Sequence, residues 1–464
     1  MDLDHDDCYA AIQARDARFD GVFFTGVLST RIFCRPVCPA RTPRRDRVRF
    51  YPSAASAMSA GFRPCRRCRP DAAVASPAWV GSVDIVGRAL QAIDRGAMDG
   101  GRTVEDLAHD CGVSARHLAR LFTDHVGSTP AQVATTRRTL LAHRLLLDTR
   151  LTTAEVAFAA GFGSVRQFND VMAQAFGLTP TTLRRADRTA SRQGGRATGP
   201  LSLQIAVRRP WNPGPLAAFL QARALPGLET VADGVYERRT ATGSVRIDLF
   251  ADPVRMEVDL DDLRALTGII GSARAMLDAD AETSTIERHL GSAVPALVAR
   301  IAAQSGLRVP GPWEPWETAV RAVLGQQVSV AAATTLAGRL VAAAEGVFPA
   351  AEDLADGEML AAVGMPASRR RAVAALAGTV ADGDLSLAGP VAPTRAVLAR
   401  LPGIGPWTVE VIAMRALRDP DAFPATDLGV RRGLDALGLD DLGDAAGARP
   451  WRSYLTMHLW ETNR

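Results

Sequence analysis

Ile32-Phe33-Cys34-Arg35-Pro36-Val37-Cys38 and, a few tens of residues on, Ala60-Gly61-Phe62-Arg63-Pro64-Cys65-Arg66-Arg67-Cys68 hold four of the chain's six cysteines. A Cys-x3-Cys followed by a Cys-x2-Cys forms two short thiolate hairpins. Brought together, they make a closed tetrahedral site suited to Zn²⁺. The candidate ligands are Cys34, Cys38, Cys65 and Cys68, for one zinc per chain. From Arg31 to Arg69 there are 11 arginines against one acid, Asp46. That is the footprint of a phosphate-binding surface. Spacing alone fits a structural zinc knuckle equally well.

With Phe50-Tyr51 and Arg69-Pro70-Asp71, these stretches resemble the N-terminal domain of the Ada adaptive-response family, from about Asp16 to Asp71. In that family the first cysteine of the quartet accepts a methyl group from a DNA methylphosphotriester. The resemblance gives that role to Cys34. A zinc-bound thiol is held as thiolate, the nucleophile such a transfer needs. Methylating one sulfur removes a negative charge, so repair becomes a DNA-binding signal.

At 464 residues the chain has length for several cores. Residues 1–200 carry 28 arginines against 19 acids, and the remainder 26 against 31. The N-terminal part is therefore the DNA-seeking part, and the rest must rely on local positive features. All 54 basic residues are arginine. The acidic opening, Met1 to Asp7, lacks the apolar segment of a secretion signal. No apolar run reaches membrane-spanning length. Clustered cysteines without a signal point to a reducing cytoplasm. Cys111 reads as a packing residue at a helix-helix turn, and Cys8 has no reading.

From Asp84, Ile85, Val86, Leu90 and Ile93 share a helical face. Thr103 to Ala108, Gly112-Val-Ser114 and Gly127-Ser-Thr-Pro130 are then echoed by Thr152 to Ala157, Gly161-Phe-Gly-Ser164 and Gly177-Leu-Thr-Pro180. Each copy reads helix, glycine turn, serine N-cap, helix, which is a helix-turn-helix. The second helices offer Arg116, His117 and Arg120, and Arg166, Gln167 and Asn169, as DNA-reading residues. They lie opposite Leu118 with Phe122, and Phe168 with Met172. Two copies with matching Gly-x-Thr-Pro exits resemble the AraC-type DNA-binding domain, which implies promoter DNA and RNA polymerase as partners.

Arg184 to Pro200 lacks apolar periodicity and reads as a linker. Leu201–Val207, Val235–Arg239, Ser244–Phe250 and Arg255–Asp259 alternate as strands, with helices over Pro215–Arg223 and Leu263–Leu277. From about Thr283 the pattern is helical. Glu317 to Ala332 is expected to be one apolar helix, with the Gln326 and Gln327 amides inside it. Arg395–Leu401, Pro402-Gly403-Ile404-Gly405 and Trp407–Leu417 read as a helix-hairpin-helix. Its glycines let backbone N–H groups approach a phosphate, with Leu401, Gly403, Ile404 and Gly405 as candidate contacts.

Phe423-Pro-Ala-Thr-Asp427 follows. With Trp407, Leu324-Gly-Gln-Gln-Val-Ser-Val330 and Arg449 to Trp460, it resembles the AlkA-type 3-methyladenine DNA glycosylases of the helix-hairpin-helix, Gly/Pro-Asp class, from Leu201 onward. The resemblance implies a flipped-out nucleotide, with Asp427 essential, Gln327 at the wedge position, and Trp407 with Trp460 as faces for a cationic base. Asp427 would stabilise an oxocarbenium-like sugar or activate water. The family often has an aromatic where this chain has Val411. Bifunctional relatives carry a Schiff-base lysine where this chain has Trp407, and no cysteine follows Cys111. The resemblance therefore implies a monofunctional enzyme without an iron–sulfur cluster.

The expected architecture is multidomain α+β. Residues 1–80 form a small zinc, methyl-acceptor domain, and 81–185 an all-α double helix-turn-helix. A linker at 186–200 leads to a small α+β module at 201–282 and an all-α helix-hairpin-helix glycosylase domain at 283–464. The implied function is an alkylation-damage response on double-stranded DNA, both alkylated and promoter, with no membrane partner. The alternative is a non-enzymatic DNA-binding regulator with a purely structural zinc site.

Overall fold

The computed structural model describes residues 5–15, 19–68, 70, 85–187, 200–439 and 443–462. Most of the linker expected at 186–200 lies outside them. The chain divides into two compact units, Met1–Ala206 with Asp259–Gly271, and Val207–Val258 with Ser272–Arg464.

In the first unit, α1 (His5–Ala14) lays Cys8, Ala11 and Ile12 against Phe23. Cys8 is thus a small apolar residue on a packed helix face. Strands β1 (Phe24–Val27), β2 (Ile32–Cys34) and β3 (Val48–Tyr51) are antiparallel, with β1 central. A Cβ on Gly26 would meet Tyr51 at 2.8 Å and Phe62 at 3.0 Å, so two aromatic rings close over that glycine. Helix α2 (Ala54–Ser59) follows a Ser53 capping box, and β4 (Arg63–Pro64) pairs in parallel with β2.

The same unit continues with α3 (Ile85–Asp94), α4 (Val104–Asp110), α5 (Ala115–Val126), α6 (Pro130–Asp148), α7 (Thr153–Ala159), α8 (Val165–Phe176), α9 (Pro180–Asp187) and β5 (Leu201–Ile205). Thr103 and Thr152 open α4 and α7 with capping boxes closed by Asp106 and Glu155. Ser114 and Ser164 cap α5 and α8, and Gly127 and Gly177 end them in the left-handed conformation. The repeat seen in the sequence is thus a repeat of caps. Asp99 ties the two copies together. It accepts from Arg138 Nε at 2.8 Å and Arg137 Nη2 at 2.5 Å, beside Gly161 of the second turn.

The second unit begins with α10 (Pro213–Gln221). Its strands β6 (Glu229–Ala232), β7 (Val235–Thr240), β8 (Gly243–Asp248) and β9 (Val254–Leu260) neighbour one another in the order β9-β8-β7-β6. The four-residue β6 carries no alternation that sequence reading could catch. Helices α11 (Thr283–Ala293), α12 (Pro315–Leu324), α13 (Val330–Ala343), α14 (Ala367–Ala381), α15 (Val391–Leu398), α16 (Pro406–Arg415), α17 (Leu428–Ala436) and α18 (Arg452–Glu461) follow. The single helix expected over 317–332 is corrected to two. Gly325 ends α12, and Ser329 caps α13 by accepting from Ala332 N at 3.2 Å. Stop and start signals override a continuous apolar pattern there.

Val320, Val323 and Leu324 of α12 pack with Leu340, Leu376, Leu398 and Ile412. A second cluster joins Phe219, Leu290, Val430, Leu455 and Leu459. A buried ionic network ties the sheet to α12. Arg238 donates to Glu229 at 2.6 Å and also pairs with Glu317, which accepts from Arg321 at 2.9 Å. Burial opposes charge on Glu317, but Arg238 and then Arg321 outweigh it and hold its carboxyl below the usual range. No helix among the described residues is long and apolar enough to cross a membrane.

His458 lies in α18 at 2% exposure. Burial, helped by the charge of Arg300, lowers its pKa to about 4. The unfolded chain takes up this proton at higher pH than the folded one. The contribution to stability is therefore full above about pH 6.5 and is lost as pH falls toward 4, up to about 3 kcal/mol. The thermal midpoint should drop less between about pH 7.5 and 5 in His458→Leu than in the parent, and an equal drop would refute the assignment.

Candidate functional site

Two constellations arise, one in each unit. In the first, Cys34 ends β2 and Cys65 follows β4, so the parallel pair of strands brings both hairpins to one place. Cys65 N donates to Phe33 O at 3.0 Å, and Arg35 N donates to Cys68 Sγ at 3.3 Å. All four Sγ atoms lie within 4.8 Å of one another. A Zn²⁺ with sulfurs at about 2.3 Å needs tetrahedral edges of about 3.8 Å, so a small contraction seats it. Cys65 and Cys68 are buried, and Cys34 and Cys38 half-buried. Hydrogen bonding to Cys38, then to Cys65 and Cys68, drives the Cys34 thiol far above its ordinary value. Hydrogen bonds from Cys34, then Cys38, drive Cys65 far below it, and Cys38 comes down to about 7, chiefly through Cys34. Four thiols in contact compete for their protons, and a dication relieves that competition. The donor set fits zinc. Arg35, next to Cys34, is fixed by the buried Asp20, with Nε donating at 2.8 Å.

The second helices of the two helix-turn-helix copies, α5 and α8, stand in the same unit. Arg116, Arg120, Arg166, Gln167 and Asn169 are exposed, and His117 is half-buried. Arg120 Nη2 lies 3.1 Å from His117 Nδ1. Leu118, Phe122, Phe168 and Met172 are fully buried on the opposite faces.

In the second unit, Asp427 is the N-cap of α17. Its Oδ1 accepts from Gly429 N at 2.8 Å, Val430 N at 3.1 Å and Trp460 Nε1 at 2.9 Å. Its Oδ2 accepts from Trp407 Nε1 at 2.9 Å. The two tryptophans and the aspartate, far apart in sequence, therefore form one unit. Expected only as stacking faces, the indoles also orient the carboxylate. Gly429 makes this possible, because a Cβ there would meet Trp460 at 2.8 Å. Gly433, one turn on, would meet Leu459 O at 2.5 Å, so α17 and α18 approach backbone to backbone.

Asp427, Trp407, Val411 and Trp460 line a cleft of about 470 Å³, a size usual for a small-ligand site. Phe219 of α10 joins them, its ring 6.5 Å from Trp460 and within 13° of parallel. Arg415 crosses Phe219 at 4.5 Å and donates to Pro310 O at 2.5 Å. Burial, then the charges of Arg223 and Arg321, pull its pKa well below the usual guanidinium value. Sequence reading missed Phe219 and Arg415. Both are ordinary core or surface types until the tertiary fold delivers them.

Gln327 is not in the cleft lining but exposed on the loop between α12 and α13, at φ +54°. Val328 and Val330 beside it, and Leu428 beside Asp427, are among the few large apolar side chains exposed to water. In the hairpin, Gly403 is left-handed at φ +80°, Gly405 caps α16, and Ile404 is buried with Leu401 packed nearby. Nothing lies within 4 Å of a Cβ built on Gly405, which leaves its backbone open to a phosphate.

Four family models match the chain. They are the metal binding domain of Ada over residues 7–71, a helix-turn-helix domain over 107–186, the AlkA N-terminal domain over 202–314, and the HhH-GPD superfamily of base excision DNA repair proteins over 320–445. Among known proteins, DNA-3-methyladenine glycosylase 2 of Escherichia coli is 32% identical, over 53% of this chain and 92% of that one. The bifunctional transcriptional activator/DNA repair enzyme AdaA of Bacillus subtilis is 29% identical, over 41% and 87%. The probable bifunctional transcriptional activator/DNA repair enzyme AlkA of Mycobacterium tuberculosis is 43% identical over 99% of this chain and 97% of that one. On that near-complete match, the chain belongs to the family of bifunctional transcriptional activators and DNA repair enzymes of the AlkA type.

Proposed function

We propose that this chain hydrolyses the N-glycosidic bond of alkylated bases in duplex DNA. We further propose that Cys34 takes a methyl group from a DNA phosphotriester, turning the helix-turn-helix pair into an activator. One observation carries the first half: a carboxylate held only by N–H donors, beside parallel aromatic faces in a cleft. Three of those bonds fall on Oδ1 and one on Oδ2, so Oδ2 keeps lone-pair capacity for the substrate. Its charge stabilises the sugar, which becomes oxocarbenium-like as the base leaves with the electron pair of the C1′–N bond. Water then adds to C1′. The strand stays intact, because a chain without lysine has no such amine to form a Schiff base. Phe219 and Trp460 receive the flat, electron-poor ring. Gln327 fills the vacated stack, and the hairpin amides hold a phosphate. The lesion class, 3-methyladenine, is taken from the name of the E. coli relative.

The second half rests on the cysteine site and its basic surround. Cys34, Cys38, Cys65 and Cys68 would hold a zinc ion, which would keep their sulfurs as thiolates. The Cys34 sulfur attacks the methyl carbon in line. The S–C bond forms as the C–O bond breaks, and a phosphodiester anion leaves. The site loses one negative charge, its repulsion toward DNA phosphates falls, and the activator then engages RNA polymerase.

Freshly purified protein should contain one zinc per chain, and the double replacement of Cys65 and Cys68 by serine should lose it. After incubation with methylated DNA, peptide masses should place a single methyl on Cys34. A methyl on another cysteine, or on none, would remove the assignment.

Asp427→Asn keeps the shape and removes the charge. Excision of 3-methyladenine should fall by roughly 10²–10³ while DNA binding persists. Borohydride should trap no enzyme–DNA adduct. Near-normal excision by Asp427→Asn would end the catalytic reading, and strand cleavage would end the monofunctional one.

A further inference from the structure

We infer that Gln326 is a positioning residue that couples the phosphate-gripping hairpin to the wedge at Gln327. This rests on the base-excision reading above and adds a working part to it. The loop Gly325 to Ser329 presents Gln327 to solvent with φ at +54°. A side-chain-bearing residue stays in that left-handed region only when its surroundings hold it there. An exposed side chain cannot supply the hold, so it must come from the backbone on either side. On one side, Ser329 is fixed as the cap of α13. On the other stands Gln326.

Gln326 is tied three ways. Its Nε2 donates to Gly403 O at 2.8 Å and to Thr408 Oγ1 at 2.9 Å. Its backbone carbonyl accepts from Arg369 Nη2 at 2.6 Å. Gly403 is the turn of the hairpin, Thr408 lies in the first turn of α16, and Arg369 belongs to α14. Both amide hydrogens of the side chain are therefore spent on the hairpin. The hairpin is itself seated on α14, because a Cβ on Gly403 would meet Ala372 at 2.8 Å. Wedge loop, hairpin and α14 thus close a triangle of contacts, with Gln326 at the corner nearest the wedge.

The arrangement gives two events one origin. A phosphate gripped by the hairpin fixes Gly403 and Thr408, and the Gln326 amide carries that position to the neighbouring α-carbon. Gln327 then stands ready where the base departs. Extruding a stacked, paired base costs several hydrogen bonds and a stacking step, and a wedge in register offsets that cost. Where the base is unpaired, little is left to offset. Dependence on pairing is what separates positioning of the wedge from plain support of the fold.

The test uses the full-length protein. Gln326→Met keeps the length of the side chain and removes both donors. Thr408→Val removes one acceptor at almost constant shape, and stands in if the first variant melts early. Single-turnover release of 3-methyladenine is measured from a fully paired duplex and from the same lesion opposite an abasic site. Unstacking is followed by 2-aminopurine beside the lesion, and thermal midpoints are recorded. Gln326→Met should slow release from the paired duplex by about ten- to a hundredfold, the usual cost of a small misplacement. Release opposite the abasic site should stay close to the parent's, and the 2-aminopurine rise should shrink. Equal losses on both substrates, or no loss on either, would overturn the inference. If the parent releases no base at all, the base-excision reading has failed. The 2-aminopurine signal then still decides the coupling, since a reduced rise supports it and an unchanged one overturns it.

Discussion

A carboxylate withdrawn from water must be met by donors, and the scaffold of this chain meets it with guanidinium groups. Asp20 is met by Arg35 beside the cysteine site. Asp99 is met by Arg137 and Arg138 between the helix-turn-helix copies. Glu229 and Glu317 are met by Arg238 and Arg321 between sheet and helix. Each position uses a planar fork whose geometry lysine cannot reproduce. Asp427 follows a different rule. Its donors are two backbone amides and two indoles, all neutral. They orient the charge without cancelling it. Cations thus build the frame, and dipoles build the site.

Much of this was legible in the sequence wherever local chemistry decides. The cysteine spacing needs only two short hairpins, and β2 with β4 supplies them. The helix-turn-helix copies are announced by Thr, Ser and Gly caps, which act within a few residues. The hairpin is announced by its own glycines. Legibility ended where partners are distant. The break at Gly325 to Ser329 was hidden because apolar periodicity runs through its local stop and start signals, and the anchor of its loop lies in Gly403 and Thr408, some eighty residues away. Phe219 reached the cleft from another module. In the sequence Trp407 and Trp460 offer only faces, because nothing local says that both N–H groups converge on one carboxylate. The short strand β6 had too few residues to show a period.

The cysteine module and the helices α5 and α8 also share atoms of support. The Ser53 hydroxyl donates to the carbonyl of Val126, the last residue of α5. Gly127, which ends that helix, packs on Pro52 and Ser56. Gly177, which ends α8, faces Arg63 of β4, with 3.2 Å to its Nη1 from a Cβ built there. The strand that leads into Cys65 therefore rests on the end of α8, and the helix after β3 rests on the end of α5.

That seating has a thermodynamic side. Whatever free energy passes from the sulfurs to α5 and α8 must pass back in equal measure. DNA that settles the two helices would change the affinity of the four-cysteine site for a metal ion by the same factor by which that ion changes the affinity for DNA. To the extent that the two are coupled, DNA is an effector of the cysteine site as well as a partner of the helices.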